Sequence, residues 1–348
     1  MSELERIIEP LLKWYQENRR ELPWREDRDP YHVWVSEIML QQTRIEAVKR
    51  YYARFMKELP KIKDLAEISE ERLLKLWEGL GYYSRARNLK KAAQKVMEEY
   101  RGVMPKSYEE LLKLPGIGEY TAGAIASICY DEKVTAVDGN VLRVISRVIG
   151  SKKDVLLPET KKEIEAMVKE ILPEQAGQFN ESLMELGELV CLPNGAPECE
   201  KCPLKKMCIA YKKELTGEIP VRIKKVKRRK EEKTVLLVIS ANQKIALRKR
   251  EEKGVLFGLY ELPNLPKFLN QEEIEKFCKE KGLEVEEIQE LDDTKHIFTH
   301  IDWIMQNYLV RIKEENKEWI WSSIDELNEK YALPTAFQKI FVKAASKI

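Results

Sequence analysis

The chain has 348 residues, which is longer than a usual single domain, so we expect two domains. Its 43% hydrophobic content suffices for buried cores, and its 34% charged content predicts a solvated surface rather than disorder. The longest apolar runs span only a few residues, which excludes a membrane-spanning helix. The acidic start of the chain lacks the apolar region of a signal peptide, so we expect a cytoplasmic protein in which disulfides are disfavoured.

The net charge of +2 hides an uneven distribution along the chain. The first 230 residues carry 43 basic and 37 acidic side chains, whereas residues 231–348 carry 18 basic and 22 acidic ones. The basic excess in the N-terminal part suits a polyanionic partner.

Helical patterning dominates from Leu4 to about Tyr211, where apolar residues recur at spacings of three and four. The clearest helical stretches are Arg85–Tyr100, Thr160–Ile171 and Phe179–Val190. Arg222–Lys230 follows, with seven basic residues in nine, and is predicted to be an exposed linker that could also contact DNA phosphates.

The pattern changes after this basic segment, where β-branched and apolar residues alternate in short runs. The predicted elements are strands at Thr234–Ser240 and Lys244–Arg248, a helix at Glu272–Lys281, several short strands between Leu283 and Trp321, and a closing helix at Pro334–Ala345. The expected fold is therefore an all-α domain at residues 1–215, a basic linker at 216–232, and an α+β domain at 233–348.

Glu37 lies in the predicted helix Tyr31–Gln41, with Val33 and Trp34 one turn before it and Leu40 one turn after it. A carboxylate beside an apolar stripe should have a raised pKa and keep its proton near neutrality, as a general acid must. The alternative is a boundary glutamate whose carboxylate reaches solvent.

A glycine-rich turn, Leu114-Pro115-Gly116-Ile117-Gly118, separates two predicted helices. Gly116 and Gly118 allow positive φ angles and remove side chains, so that backbone N–H groups can point outward beside a helix N-terminus. Such a turn binds a phosphate without reading base sequence, although a plain interhelical turn remains the alternative.

Asp138 immediately precedes Val141–Val148, an apolar helical run. An aspartate at this position is a preferred helix cap, but a fixed carboxylate at a helix entrance can also face a cationic sugar. Two carboxylates in different environments, here Glu37 and Asp138, are what the cleavage of a glycosidic bond requires.

Four cysteines fall within eighteen residues: Cys191, Cys199, Cys202 and Cys208. Four thiolates so close would repel or oxidise unless a metal centre held them. Structural zinc and a [4Fe–4S] cluster both take four cysteines, and the residues alone leave both open.

The hairpin, with Val137-Asp138-Gly139-Asn140-Val141 about twenty residues later, resembles the helix–hairpin–helix DNA glycosylase superfamily over roughly residues 10–210. Within it, Ser36–Thr43 closely resembles the catalytic-acid region of adenine DNA glycosylases of the MutY type. The resemblance implies that Glu37 protonates N7 of adenine and that Asp138 stabilises the oxocarbenium-like sugar. It also implies that Asn140 orients this site and that Tyr120 buttresses the sugar.

The same resemblance assigns further roles along the chain. Trp24 and Arg25 would form the entrance of the adenine pocket, and Gln42 and Tyr82 would be wedges inserted into the base stack, helped by Thr43 and Leu80 near 8-oxoguanine. The cysteines would hold a [4Fe–4S] cluster, although the first gap here has seven residues (Leu192–Glu198) where the family has six.

Residues 234–348 resemble the C-terminal domain of this family, which is related to Nudix hydrolases. The metal-binding box of the hydrolases has no counterpart here, so pyrophosphate hydrolysis is disfavoured. The family reads the lesion with a Phe-Ser-His loop, and this chain has Phe298-Thr299-His300. Without the resemblance, these residues would be assigned to a packed strand.

Endonuclease III-type relatives place a lysine directly after the hairpin, where this chain has Tyr120. A tyrosine cannot form an imine, so strand cleavage by amine catalysis loses its nucleophile. We therefore expect a monomeric, monofunctional adenine DNA glycosylase that acts on double-stranded DNA with adenine opposite 8-oxoguanine or guanine. The alternatives are a bifunctional glycosylase/lyase and a non-catalytic lesion-binding protein.

Overall fold

The computed structural model describes residues 3–193, 196–223, 228–251 and 254–344. Contacts divide the chain into two compact units: the first is Met1–Glu67 with Asn88–Lys224, and the second is Ile68–Arg87 with Lys225–Ile348. Within the described ranges, no helix combines the length and the hydropathy needed to cross a membrane.

The first unit is helical, as the spacing of its apolar residues predicts. Its longer helices are α1 (Ile8–Asn18), α2 (Pro30–Leu40), α3 (Ile45–Glu58), α4 (Ile62–Glu67), the part of α6 (Ser84–Glu99) from Asn88 onward, α8 (Glu119–Tyr130), α9 (Gly139–Ile149), α10 (Pro158–Glu170) and α11 (Ala176–Leu189). Short helices are α7 (Tyr108–Leu111) and α12 (Ile209–Lys212), with 3₁₀ turns at Leu4–Ile7, Pro23–Arg25 and Cys199–Lys201.

The core of the first unit forms where α9 and α11 pack together, and α1 and α8 also pack on α11. Phe179, Leu183 and Leu186 of α11 are fully buried against Val141 and Ile145 of α9. Fully burying a side chain of this size contributes roughly 1.5–3 kcal/mol. These packed helices give the site described below a rigid base.

The second unit is a mixed sheet with helices on both faces. Its strands are β1 (Arg229–Ser240), β2 (Ile245–Lys249), β3 (Tyr260–Glu261), β4 (Asn264–Pro266), β5 (Val285–Ile297), β6 (Ile301–Ile312) and β7 (Ile320–Ser322). The main strand order is β3-β2-β1-β6-β5, with β1 and β6 parallel from Arg229↔Ile301 to Ser240↔Ile312. Its helices are α5 (Glu70–Leu76), α13 (Gln271–Glu280), α14 (Ile324–Lys330) and α15 (Thr335–Ala344).

From Thr234 to Ser240, strand β1 is buried on both sides because both faces of the sheet are covered there, whereas its first five residues are charged and at least partly exposed. Val235 and Leu237 point into a core with Phe337 of α15, whereas Leu236 points into a second core with Ile274 of α13. The strand predicted from the short apolar run Thr234–Ser240 is therefore confirmed.

Residues 68–87 group with the C-terminal unit, although the sequence pattern suggested one continuous N-terminal domain. Lys75 donates to the carbonyls of Leu327 and Tyr331, and Glu78 accepts from the backbone N–H of Leu333. These partners lie more than 250 residues away along the chain, so local patterning cannot show them. The proposed boundaries at 215 and 232 stay predictions.

The basic linker predicted at 216–232 has structured ends. Ile219 is buried, Val221 bridges to Asp154, and β1 begins at Arg229. Lys224–Lys227, in the middle of the basic run, lie outside the described residues.

Candidate active site

Helix α2 carries Glu37 into the interior of the first unit. The helix is fixed at its start by Asp29, whose carboxylate accepts from the N–H of Tyr31 at 2.7 Å, and by Pro30 in the first turn. Glu37 is only 7% exposed, and burial raises its pKa to about 7. The raised pKa predicted from the sequence is confirmed, and the alternative of a carboxylate reaching solvent is wrong.

Tyr120, in the first turn of α8, contacts Glu37 directly. Its hydroxyl lies 2.6 Å from Oε2 of Glu37 and 3.1 Å from the sulfur of Met184. Burial raises the pKa of Tyr120 well above its ordinary value, so the phenol keeps its proton and donates to the carboxyl group. One oxygen of Glu37 is thereby fixed in position.

Asp138 caps α9, as its sequence position predicts, and it also lines the cavity described below. One carboxylate oxygen caps α9 by accepting from the N–H groups of Asn140 and Val141, each at 2.8 Å. The other accepts from the side-chain amide of Asn140 at 2.7 Å. Burial raises the pKa of Asp138, while these hydrogen bonds oppose the rise and favour the ionised form.

Asn140 can reach this position because Gly187 of α11 lies against it. A Cβ atom at Gly187 would come within 2.6 Å of the Cβ of Asn140. Any side chain at Gly187 would therefore push α9 and α11 apart and displace the amide that supports Asp138. A small residue is required here for close helix packing rather than for backbone freedom.

A cavity of about 610 Å³ in the first unit connects these groups. Its volume lies in the range of pockets that bind small organic groups such as a nucleobase. The predicted site residues that line it are Trp24, Arg25, Glu37, Gln42, Thr43, Tyr120, Asp138 and Asn140. The structure thus brings together side chains that are spread over more than 110 residues of sequence.

Sequence reasoning missed a group of charged residues in the same cavity: Arg20, Glu181 and Glu185. Glu181 and Glu185 lie one turn apart in α11, a helix whose other residues are largely apolar and buried. The signal that singled out Glu37, a carboxylate within an apolar helix, was present here too. Burial raises the pKa of Glu181, and the charge of Arg25 opposes that rise.

Arg143 was also missed, because it lies inside the apolar run that follows Asp138. It is 3% exposed and donates to Oδ1 of Asn140 at 2.7 Å and to the carbonyls of Gly187 and Cys191 at 2.9 and 2.7 Å. Asn140 is therefore held on both sides, by Arg143 at its oxygen and by Asp138 at its nitrogen.

The glycine-rich turn has the predicted hairpin form between α7 and α8, but its two glycines differ. Gly116 has φ +79°, and a Cβ there would come within 2.6 Å of the Cβ of Asn88. Gly118 has φ −98° and is the extended N-cap of α8, so it does not use the positive φ that a glycine allows. Both glycines are exposed, which leaves the backbone of the turn open to a ligand.

The four clustered cysteines are free of disulfides and lie close enough to act on one another electrostatically. Three of these sulfurs have N–H donors: Arg147 lies 3.2 Å from Cys191 Sγ, and backbone N–H groups serve Cys202 and Cys208. Such donors stabilise thiolate ligands, so the residues fit a cysteine-bound metal centre. Across the described residues, however, no group of three or more His, Cys, Asp or Glu side chains is arranged so that it could hold a metal ion. Asn194 and Gly195, within the seven-residue gap, lie outside the described part.

The second unit has its own cleft, of about 530 Å³, next to the turn between β5 and β6. Phe298, Thr299 and His300 form this turn, so their assignment to a packed strand is wrong. Phe298 packs edge-on against Trp303 at 4.8 Å, whereas Thr299 and His300 are exposed. The hydroxyls of Thr299 and Tyr82 lie 2.9 Å apart.

Tyr82, one of the two predicted wedges, and Leu80, predicted to help near 8-oxoguanine, lie in this same unit, whereas Gln42, the other wedge, and Thr43 lie in the first. Tyr82 is 48% exposed and has φ +45°, whereas Leu80 is only 6% exposed. Both line the cleft together with the residues of the turn. The structure thus places the two predicted lesion-contacting segments side by side.

Comparisons with known proteins agree with this arrangement. Residues 35–174 match the HhH-GPD superfamily of base excision DNA repair proteins, and residues 234–343 match the NUDIX domain. The adenine DNA glycosylase of Mus musculus is 34% identical over 95% of this chain and 76% of its own length. That of Buchnera aphidicola subsp. Baizongia pistaciae is 33% identical over 97% of this chain and 96% of its own length.

Among solved structures, a thermostable thymine-DNA glycosylase covers 61% of this chain and 97% of its own, with a TM-score of 0.55 and 29% identity. That likeness supports the fold of the first unit, while the two relatives extend over both units. The chain therefore belongs to the adenine DNA glycosylase family of the HhH-GPD superfamily.

Proposed function

We propose that this protein hydrolyses the N-glycosidic bond of adenine paired with 8-oxoguanine, and less efficiently with guanine, leaving an abasic site in double-stranded DNA. Adenine-specific DNA N-glycosylase activity in base excision repair is the activity of its family. The single observation that supports the chemistry is the meeting of Glu37, with a pKa of about 7, and the hydrogen-bonded Asp138 in one cavity.

Protonated Glu37 donates its proton to N7 of the flipped adenine while the bond between C1′ and N9 breaks. The bonding electrons leave with the base, which departs as neutral adenine. The carboxylate of Asp138 then faces the cationic sugar and stabilises it until water adds at C1′. Tyr120 holds Glu37 in place, and Arg143 and Asn140 hold Asp138.

The chain lacks an amine where a lyase needs one, because Tyr120 follows the hairpin and is occupied with Glu37. An imine to the sugar therefore cannot form there. The product should remain an abasic site until alkali cleaves it.

For recognition of the lesion, we propose the cleft of the second unit. The turn Phe298-Thr299-His300 presents an exposed hydroxyl beside Tyr82, a combination of hydrogen-bonding and stacking groups that suits an oxidised purine. Gln42 and Thr43 of the first unit would contact the bases beside the extracted adenine. Exposed backbone at Gly116 and Gly118 would hold a DNA phosphate.

Cys191, Cys199, Cys202 and Cys208 are proposed to hold a [4Fe–4S] cluster with a structural and electrostatic role. The N–H donors to their sulfurs support this assignment. Brown protein with visible absorbance and four irons per chain is the expected result. Colourless protein with stoichiometric zinc would contradict it. We also propose that the protein is a cytoplasmic, nucleoid-associated monomer.

The decisive assay measures adenine release from matched duplexes that carry adenine opposite 8-oxoguanine, guanine, thymine or cytosine. Release should be fastest opposite 8-oxoguanine, strand breaks should appear only after alkali, and borohydride should trap no enzyme–DNA adduct. No release of adenine from the 8-oxoguanine duplex would overturn the proposed function, and a trapped adduct would point to a lyase.

A further inference from the structure

The buried carboxylate of Glu185, in α11, accepts hydrogen bonds from Arg20 and Arg25, which lie in the segment that leads into the cavity. The backbone N–H and Nε of Arg20 both lie 2.9 Å from Oε1, and its Nη2 lies 2.9 Å from Oε2. Nη2 of Arg25 lies 3.0 Å from Oε2. The side chain of Glu185 is only 1% exposed, and those of Arg20 and Arg25 are 24% and 19% exposed, so this is a largely buried ion-pair network rather than a surface salt bridge.

Arg25 is held by a second carboxylate as well. Its Nε lies 3.2 Å from Oε1 of Glu181, and its Nη1 donates to the carbonyl of Arg20 at 3.3 Å. Two guanidinium groups thus face two carboxylates in one wall of the cavity. Although burial opposes ionisation, Arg20 and Arg25 lower the pKa of Glu185 to about 2, so it stays charged at every working pH.

Arg25, Glu185 and Glu37 line the same cavity, so the charge of Arg25 acts on Glu37. The charged and titratable groups that act on Glu37 come from the elements around it: Tyr120 and Cys129 of α8, Asp138 before α9, Arg25 of the 3₁₀ turn, and Glu181 of α11. Arg25 favours the ionised form of Glu37, whereas Asp138 and Glu181 favour the protonated form. Groups that balance the positive charge of Arg25 therefore favour the protonated form of Glu37 that a general acid needs.

We propose that Glu185 is a positioning residue that clamps Arg20 and Arg25 onto α11 and, together with Glu181, balances their charge, which keeps Glu37 protonated at neutral pH. This rests on the proposed function, because it assumes that Glu37 is the general acid. Glu185 touches neither the reacting base nor the sugar in this role; it acts through Arg25.

The test is the pH dependence of adenine release under single-turnover conditions, from about pH 5 to about pH 9. Glu185→Gln keeps the shape of the side chain but removes its charge. The descending alkaline limb of the rate should move to lower pH by about half a unit or more, because an unbalanced guanidinium lowers the pKa of Glu37.

Glu185→Asp is the conservative comparison, since it restores the charge on a shorter side chain. Its alkaline limb should return close to that of the wild type, even where its maximal rate is lower. Glu174→Gln is the matched control, because Glu174 is an exposed partner of Lys133 in the same unit. Its profile should match the wild type throughout.

A purely structural role of Glu185 predicts a different result, in which the Gln and Asp variants lose rate equally at all pH values. That outcome, or a Gln variant with an unshifted limb, would overturn the inference. Should Glu185→Gln not fold, as thermal unfolding would reveal, Arg20→Gln tests the same balance in the opposite direction. It removes a positive charge, so its limb should move to higher pH, and an unmoved limb would contradict the proposal.

Failure of the proposed function gives a separate result. Wild-type protein would then release no adenine, or Glu37→Gln would retain full activity. An active wild type and an inactive Glu37→Gln, together with an unshifted Glu185→Gln, would reject the role of Glu185 alone.

Discussion

Glu37 shows that a side chain buried for function can lower the stability of the fold. Its ordinary pKa of 4.5 is raised to about 7 by burial, so the folded chain binds this proton more tightly than the unfolded chain does. The free energy of unfolding therefore falls as the pH rises from about 4.5 to about 7, and this penalty reaches its full size above that range.

Glu37→Gln should remove this penalty while abolishing base release. We expect the variant to be more stable than the wild type at alkaline pH, by about 3 kcal/mol, and to show no such advantage below pH 4.5. Denaturant unfolding of both proteins at several pH values measures the difference. An advantage that does not grow with pH would show that Glu37 is not held protonated by the fold.

Asp138 should show that the cap and the catalytic carboxylate can be separated. Asparagine is as good a helix cap as aspartate, so Asp138→Asn should keep α9 stable and retain binding to duplex DNA, yet release almost no adenine. Asp138→Ala should in addition lose about 1 kcal/mol of stability, because the N–H groups of Asn140 and Val141 lose their acceptor. Unfolding, DNA binding and single-turnover assays on both variants separate the two roles; a fully active Asn variant would remove Asp138 from the chemistry.

At the scale of elements, the long helices could be predicted within a few residues because their apolar spacing is local information. Arg85–Tyr100, for example, is observed at Ser84–Glu99. The hairpin of β5 and β6 was expected only as several short strands. These strands run for 13 and 12 residues, and β6 pairs in parallel with β1 from far along the chain, which no local pattern encodes.

The site shows the same division between local and distant information. Glu37 and Asp138 could be found because each stands out in its own sequence context. Arg143 could not, because the carbonyls of Gly187 and Cys191 that make its burial favourable belong to a segment more than 40 residues away. A buried arginine inside an apolar run becomes understandable only once its acceptors are known.

The hairpin between α7 and α8 offers a matched pair of glycine substitutions. Gly116→Ala must adopt φ +79° and place a Cβ within 2.6 Å of Asn88, so it should lose 1 kcal/mol or more, as a rough figure, and weaken DNA binding. Gly118→Ala has an ordinary φ and open space around its Cβ, so its stability should fall by only a few tenths of a kcal/mol, roughly. Thermal unfolding and anisotropy with an undamaged duplex test this, and equal losses for both variants would contradict the distinction between the two glycines.

At the scale of the whole molecule, the chemical groups and the proposed lesion-reading groups belong to different units. Glu37, Asp138 and their supporting residues line the cavity of the first unit, whereas Thr299, Phe298 and Tyr82 line the cleft of the second. Substitutions of Glu37, Asp138 and their supporting residues should therefore slow excision opposite 8-oxoguanine and opposite guanine by the same factor. Substitutions in the second should change the ratio of the two rates.

Thr299→Ala is the most direct test of a substitution in the second unit. It removes the hydroxyl that lies 2.9 Å from the hydroxyl of Tyr82, while the neighbouring Phe298 remains packed against Trp303. Loss of one hydrogen bond to the lesion or to Tyr82 should reduce the preference for 8-oxoguanine over guanine by about tenfold, with little change in the rate opposite guanine. Thr299→Ser keeps the hydroxyl and should retain the preference. Paired single-turnover assays on the two duplexes measure this ratio of rates. An unchanged ratio for Thr299→Ala would mean that this turn does not read the damaged base. An equal loss of rate on both duplexes would mean that the substitution acts on the fold or on general DNA binding.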